Sequence, residues 1–536
     1  MPNAFIKGLD RQMWVLTPQT PNAHAAGGSL ASDLRNDWSR YPFINQLVSA
    51  AIVNRYNVYT KSWNFNINPT LAGTFGAGAG MTFAPSRGLQ GTIAAGSTTT
   101  VIPTSTSITS VGANTLANRG GSGEYGFKIR VIGLAAGKTE ERHIIANSSG
   151  TTPTFVLSSP LTFTPALNDQ YEILGGRYFM LGAGTTASGT WKSYEVAANT
   201  LATLSNTNLP GTIGTDSCFA VLDEQYVPYD NEPGEGFIKG GYLYSSGVTN
   251  LYALTASTTA AGSITGQASG GDSSVAANEF RNFQIRIVED LTTPASVGQR
   301  RIIASHTAGP SAVYTLGTNW TTQPSSSCKF VIEYPNLIIL RTSAQSTQYT
   351  YNYGTAAVNN GTNTINADAW STTYFAAGNA HAAGSNMMAA FSIEPDTPQK
   401  YSRNSFIYSF RGGGVTTLDL FDIAGSITGL WSSNITYDGG VTIAGGSCGS
   451  HGIQDNDGRF FYINSYGQNT INQIFRFDLK NRVLAPFTPT EFLQINAGVV
   501  GNRFATYLAI NGTEKYTMLF LMSMAAPITQ ELVVQT

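Results

Sequence analysis

Five histidines, at positions 24, 143, 306, 381 and 451, are the first residues to test for chemistry, because imidazole serves both as metal ligand and as general base. None has a second ligand two or four residues away, so the sequence predicts no metal centre. His451 lies close to Cys448 in GGSCGSHG, which raises the question of a thiol activated by a base. No carboxylate stands nearby to orient that ring, and the glycines predict a turn. Asp455-Asn456-Asp457-Gly458 opens like a calcium loop but lacks the later ligands and the closing glutamate, so a hairpin turn is expected. Asp223-Glu224, Asp230-Asn231-Glu232 and Glu235 form the densest acidic run. It reads as a solvated loop, with a divalent ion or a basic partner subunit as the alternatives. Arg142 and Arg300 or Arg301 read as strand-edge charges or as a binding surface. Tyr349–Tyr353 offers rings for stacking a sugar, against the simpler expectation of strand packing. GTFGAGAG, ending at Gly80, has no surrounding βαβ pattern and predicts turns, not a dinucleotide site. No catalytic residue, metal or cofactor is assigned, and the chain is expected not to be an enzyme.

The elements that hold these residues are duplicated. FKIRV (Phe127–Val131), ERHIIANSSG (Glu141–Gly150), FVLSSP (Phe155–Pro160) and DQYEIL (Asp169–Leu174) return as FQIRI (Phe283–Ile287), RRIIASHTAG (Arg300–Gly309), VYTLGTNW (Val313–Trp320) and KFVIEY (Lys329–Tyr334). Ile129 and Ile285 are 156 residues apart, and Phe155 and Tyr314 are 159 apart. So small a drift means duplication with short loop insertions. In Phe127-Lys128-Ile129-Arg130-Val131 apolar residues alternate with cations, the pattern of a half-buried strand. The module is expected to be a small antiparallel barrel or sandwich, with the same fold in both copies.

A second pattern surrounds the modules. Ser405–Phe410, Asp419–Ala424 and Trp431 match Arg459–Asn464, Ile474–Lys480 and Leu484, with Tyr408 and Tyr462 54 residues apart. Phe406–Phe410 and Phe460–Asn464 are therefore expected to be equivalent strands of adjacent sheets. Such four-stranded sheets bury both faces only by stacking radially. Asn22-Ala23-His24-Ala25-Ala26-Gly27 reappears as Asn379-Ala380-His381-Ala382-Ala383-Gly384, which suggests equivalent places in two blades and makes both histidines turn residues. The apolar strands Tyr516–Met522 and Glu531–Val534 are expected to close a ring against the N-terminal segment. Ile44–Arg55 is a short helix candidate.

Composition narrows the function. Of 536 residues only 12% are charged, while 42% are hydrophobic and 57 are glycine, which suits an all-β protein exposed outside a cell or packed in an assembly. A net charge of −2 without a basic cluster argues against a surface that grips nucleic acid. Cys218, Cys328 and Cys448 stand apart, without zinc spacing or a disulfide framework. The start of the chain carries no signal-peptide pattern, and no apolar run reaches membrane-spanning length. Synthesis in a cytoplasm and release by lysis reconciles these features.

The duplicated module resembles a short all-β unit of tail and neck proteins of tailed bacteriophages, and the surrounding pattern resembles a kelch-type blade. The fold expected is an all-β, kelch-like propeller of about five to seven blades carrying two β-barrel or sandwich insertions. Its parts would be an N-terminal propeller segment at 1–90, modules at 91–176 and 246–335, a blade at 177–245, and further blades with closing strands at 336–536. The architecture is similar to that of the tail nozzles of short-tailed phages. That resemblance implies a virion tail protein made in the host cytoplasm, with a homo-oligomeric ring, a hexamer favoured, around the DNA exit channel. Its partners would be the tail adaptor and fibre or spike proteins, and DNA would pass without sequence-specific binding. Arg142, Arg300, Arg301, Asp230 and Glu232 are the candidate subunit-interface residues. A host-glycan-binding head or fibre-like protein and an extracellular propeller enzyme acting on polysaccharide are the alternatives.

Overall fold

A computed structural model describes residues 80–117, 126–182, 191–209, 217–224, 254–267, 276–309, 311–342, 345–382, 385–389 and 406–439, and outside these chiefly the strands named below. Among the described residues there is no α-helix. The one helical element is a single 3₁₀ turn, Pro294–Ser296. No helix there is long and apolar enough to cross a membrane.

Among the described residues six four-stranded antiparallel sheets make up the propeller-like part. Blade I is Ser29–Ser32, Phe43–Val48, Ile52–Asn57 and Ser62–Asn64. Blade II is Gly80–Ala84, Arg177–Leu181, Trp191–Glu195 and Thr200–Thr203. Blade III is Ser217–Leu222, Leu337–Thr342, Tyr349–Asn352 and Ala369–Ser371. Blade IV runs from Asn386–Ala389 through Phe406–Phe410 and Thr417–Asp422 to Leu430–Thr436. Blade V is Ile453–Gln454, Phe460–Tyr466, Asn472–Asp478 and Val483–Phe487. Phe406–Phe410 and Phe460–Tyr466 are both second strands of their sheets. Blade VI combines Arg503–Asn511, Glu514–Met522 and Thr529–Val534 with the N-terminal strand Trp14–Leu16, which pairs Val15 with Glu531. The two ends of the chain thus share one sheet, and closing the ring removes an open edge. First strands of successive sheets lie side by side, from VI to I, II, III and IV. The contact between IV and V is aromatic, with Tyr408 against Phe461 and Phe410 against Phe477 at 5.3 and 5.1 Å.

The helix expected over Ile44–Arg55 is instead a hairpin, with Phe43–Val48 and Ile52–Asn57 paired antiparallel. Ile44, Asn45, Gln46 and Leu47 are all buried, so the strand faces protein on both sides and shows no alternation. Its polar pair is satisfied across the register, where Asn54 Nδ2 donates to Gln46 Oε1 at 2.9 Å. The repeated hexapeptide ends two residues before the first strands of blades I and IV, which begin at Ser29 and Asn386. Its first copy lies outside the described residues.

Both modules are closed six-stranded barrels. The first uses Gln90–Thr92, Val101–Pro103, Lys128–Gly133, Lys138–Asn147, Thr154–Leu157 and Gln170–Leu174. The second uses Leu254–Ala260, Ser263–Gly266, Gln284–Glu289, Arg300–His306, Val313–Leu316 and Lys329–Glu333. Around each barrel the strands run first, second, fifth, fourth, third, sixth and back to the first. In barrel 1 the last junction is the Ile93–Thr104 bridge. Each barrel is inserted between the first and second strands of its blade, II for barrel 1 and III for barrel 2. The barrels join edge to edge where Lys138 pairs with Glu289. Gly137, at φ +67°, lets the backbones meet there: a Cβ would fall 2.1 Å from the Asp290 carbonyl oxygen. One apolar core runs from barrel 1 into blades I to III, and another from barrel 2 into blades III and IV.

Candidate functional site

The third strand of each barrel carries an arginine, Arg130 and its equivalent Arg286. Lys128–Gly133 is buried along its whole length, so the cation face of this strand is as enclosed as its apolar face. The half-buried strand expected from alternation is corrected by the neighbouring barrel and blade, which cover the other side. Fully buried guanidinium groups need partners, since an uncompensated charge costs several kcal/mol, roughly the value of a whole structural element. Arg130 Nε donates to Glu141 Oε1 at 2.8 Å, and its Nη1 reaches Glu172 Oε2 at 2.8 Å and Glu224 Oε1 at 2.5 Å. Arg286 grips Glu333 with two parallel bonds of 3.0 Å. Arg300 closes the network from barrel 2, with Nε on Glu224 Oε2 at 2.9 Å and Nη2 on Glu172 Oε2 at 3.0 Å. Glu172 belongs to barrel 1, Arg300 to barrel 2 and Glu224 to the end of blade III's first strand. One ionic cluster therefore fixes three bodies together.

Register explains why these positions carry the ionic link between the barrels. Arg130 pairs with Glu141 across barrel 1, and Arg286 pairs with Arg300 across barrel 2. The same site holds an acid in one copy and a base in the other. Barrel 1 supplies Arg130 with two carboxylates of its own, Glu141 and Glu172, whereas Arg300 looks outside its barrel, to Glu172 and Glu224. Burial alone would raise the Glu224 carboxyl, but Arg300 and Arg130 outweigh it and hold it well below the usual carboxylate range. Glu172 is lowered for the same reasons. Glu333 moves the other way, pushed up by burial more than Arg286 pulls it down.

Arg142 and Arg301 are the other duplicated pair, and their work lies inside their own barrels. Arg142 Nε donates to Pro160 O at 3.1 Å and its Nη1 to Glu141 O at 2.7 Å; Arg301 does the same to Asn319 O and Arg300 O, both at 2.7 Å. Each ties the fourth strand to the loop after the fifth. Arg142 is buried, while Arg301 is half-buried against the Trp320 ring at 5.5 Å. Asp223 and Glu224 are not solvated: both are buried, and Asp223 accepts hydrogen bonds from Ser86 Oγ at 2.9 Å and Tyr353 Oη at 2.6 Å. The solvated-loop reading fails for these two because Glu224 is the anion shared by buried Arg130 and half-buried Arg300. Asp230, Glu232, Glu235, His24, Cys448, His451 and Asp455–Gly458 lie outside the described residues. Tyr349 and Tyr351 of the strand and Tyr353 just after it are buried and present no ring to a ligand. Among the described residues no cluster of three His, Cys, Asp or Glu side chains could hold a metal. Sequence reading passed over Arg130, Arg286, Glu141, Glu172 and Glu333. Their signal was the arginine at the same place in FKIRV and FQIRI.

A cavity of about 600 Å³ opens beside the cluster, between the two barrels and residues 352–359 of blade III, with Glu172, Glu224 and Arg300 among its lining. A separate polar cluster lies in the seam between blades III and IV. There His381 Nε2 is 2.7 Å from Ser409 Oγ, and its Nδ1 is 3.6 Å from Cys218 Sγ. All three residues are buried. Burial, helped by Arg341 and Arg411, drives His381 well below the ordinary histidine value, and burial also lowers His306. The unfolded chain takes up protons near pH 6.5 that the folded chain refuses, so stability falls as pH drops through that value, by up to about 1.4 kcal/mol per unit per histidine. Melting temperature is expected to decrease between pH 7.5 and 5.5, and His381→Gln to flatten that slope. An unchanged slope in the variant would mean that His381 is protonated in the fold.

No protein-family model matches the chain, and no curated protein matches it. Among solved structures it is similar to Sqt1 of Saccharomyces cerevisiae, with 9% identity, 97% of this chain and 100% of that chain covered, and a TM-score of 0.30. A Bacteroides thetaiotaomicron protein of unknown function matches over 84% of this chain and 97% of its own, at 9% identity and TM-score 0.23. The NanB sialidase of Streptococcus pneumoniae matches over 97% and 94%, at 8% identity and TM-score 0.23.

Proposed function

We propose that this chain is a structural subunit of a tailed-phage virion, a tail nozzle or tail tube component that forms a closed ring around the DNA exit channel. The observation that supports this most is the fusion of two duplicated barrels with adjacent blades through the Arg130–Glu172–Glu224–Arg300 cluster. Charges sited where a reactive centre could be are consumed in holding the bodies rigid. A rigid propeller with two barrels side by side keeps its faces in a fixed relation, which a closed ring of heterologous contacts depends on. The low net charge of −2 suits a wall along which DNA slides without being held. Mass measurement of the purified protein, alone and with a portal–adaptor assembly, tests the reading. The expected result is a ring in which each subunit buries more than about 1,000 Å² against its neighbours. A protein that stays monomeric in both conditions and is absent from purified virions would refute it.

A further inference from the structure

The cavity beside the ionic cluster has the volume of a small-ligand site, about 600 Å³ where roughly 300–1,000 Å³ is usual. Its walls come from three bodies: Gln90 and Gln170 from barrel 1, Thr318 from barrel 2, and Thr355 from the blade III loop. These four side chains are exposed, and none is hydrogen-bonded to the described protein. They offer amide and hydroxyl groups that donate and accept equally well. Charge is less evenly met. Arg87, Arg300 and Arg301 line the cavity against Glu172 and Glu224. Arg300 is matched by both of these carboxylates, and Arg87 by Asp368 at 3.1 Å. Arg301 has no carboxylate partner among the described residues. Its Nε and Nη1 are pinned to backbone carbonyls, its Nη2 donates to Thr321 Oγ1 at 2.8 Å, and its carbon lies 5.5 Å from the Trp320 ring centre, so the cation is held in place, with neutral partners alone, before any ligand arrives.

We propose that this cavity binds a saccharide carrying a carboxylate, with the sugar hydroxyls on the wall amides and hydroxyls and the carboxylate facing Arg301. A polyhydroxylated ligand matches walls rich in neutral donors and acceptors, and one negative charge matches one guanidinium whose partners among the described residues are all neutral. A nucleic acid strand would need exposed rings for its bases and several cations free of carboxylates for its phosphates, whereas two of the three arginines lining the cavity are already matched by carboxylates. The inference does not depend on the virion reading, because it rests on the cavity alone.

Isothermal titration of the full-length protein with trigalacturonate and a hyaluronan tetrasaccharide, against maltotriose and chitotriose, provides the test. At least one acidic sugar is expected to bind one to one, and about tenfold or more tighter than either neutral sugar. Arg301→Gln is expected to remove that preference. Because Arg301 also braces its barrel, Thr318→Trp and Thr355→Trp give a second measurement. Both replace exposed side chains, so they should fill the cavity and abolish binding without lowering the melting temperature. No binding by either acidic sugar, equal affinity for acidic and neutral sugars, or binding that survives both tryptophans would each overturn the proposal.

Discussion

Arg130→Met is expected to destabilise the protein by about 3–5 kcal/mol, the usual cost of removing one partner from a buried ionic group. Arg130 and Glu141 have fully buried side chains, and Glu224 is 1% exposed. Methionine fills much of the arginine's volume, so the loss would be electrostatic and not a cavity effect. Glu141 would lose the Arg130 guanidinium, while Glu224 and Glu172 would keep Arg300. The sharper measurement pairs Arg130→Met with Glu141→Leu, which removes both charges and should recover a large part of the loss, because apolar replacements of both partners often come close to neutral. Denaturant midpoints of the two single variants and the double variant decide it. Additive losses would show that Arg130 and Glu141 are not coupled, and the account of how barrel 1 neutralises its arginine would fall.

Duplication was the most legible feature of the chain. Spacings of 156 to 159 residues already required two modules of one fold, and the strand order within each barrel is the same. Blade equivalence at Phe406–Phe410 and Phe460–Tyr466 was legible for a similar reason, since repeated sheets place aromatic residues at repeated seams. The pairing of the last apolar strands with the N-terminal segment was legible too. What alternation could not convey is burial on both faces. Phe43–Val48 lacks a period because protein covers both its sides, and without a period it looked helical. Lys128–Gly133 does alternate, yet the polar side is as buried as the other.

The ionic cluster was less legible for a related reason. Its members come from Arg130, Glu172, Glu224 and Arg300, which span barrel 1, blade III and barrel 2, and no local spacing connects them. The duplication nevertheless contained a clue. Equivalent arginines in FKIRV and FQIRI, facing Glu141 in one copy and Arg300 in the other, leave the second copy with an extra cation. Such an excess has to be met from outside the barrel, and Glu224 meets it.

Ile407→Asp is expected to abolish folding of the propeller at neutral pH. Ile407 is fully buried in the second strand of blade IV, where it pairs with Ala389 on one side and Phe421 on the other. It belongs to the core that continues from barrel 2 through blade III into blade IV, so no solvent route exists for a carboxylate to escape. Burying the unpaired charge or protonating it costs several kcal/mol, and deleting the apolar contacts adds a few more, together comparable to a typical margin of about 5–15 kcal/mol. Ile407→Val, which removes one methylene, should cost only about 0.5–1.5 kcal/mol and leave the protein soluble. The contrast separates charge burial from mere loss of volume. Phe461→Asp repeats the test one blade along, where the ring packs between Tyr408 and Phe477. Soluble yield, far-ultraviolet dichroism and melting temperature report the outcome. If both aspartate variants remain soluble and melt near the parent, these strands are not enclosed between neighbouring blades, and radial stacking is the wrong account of how the sheets hold together.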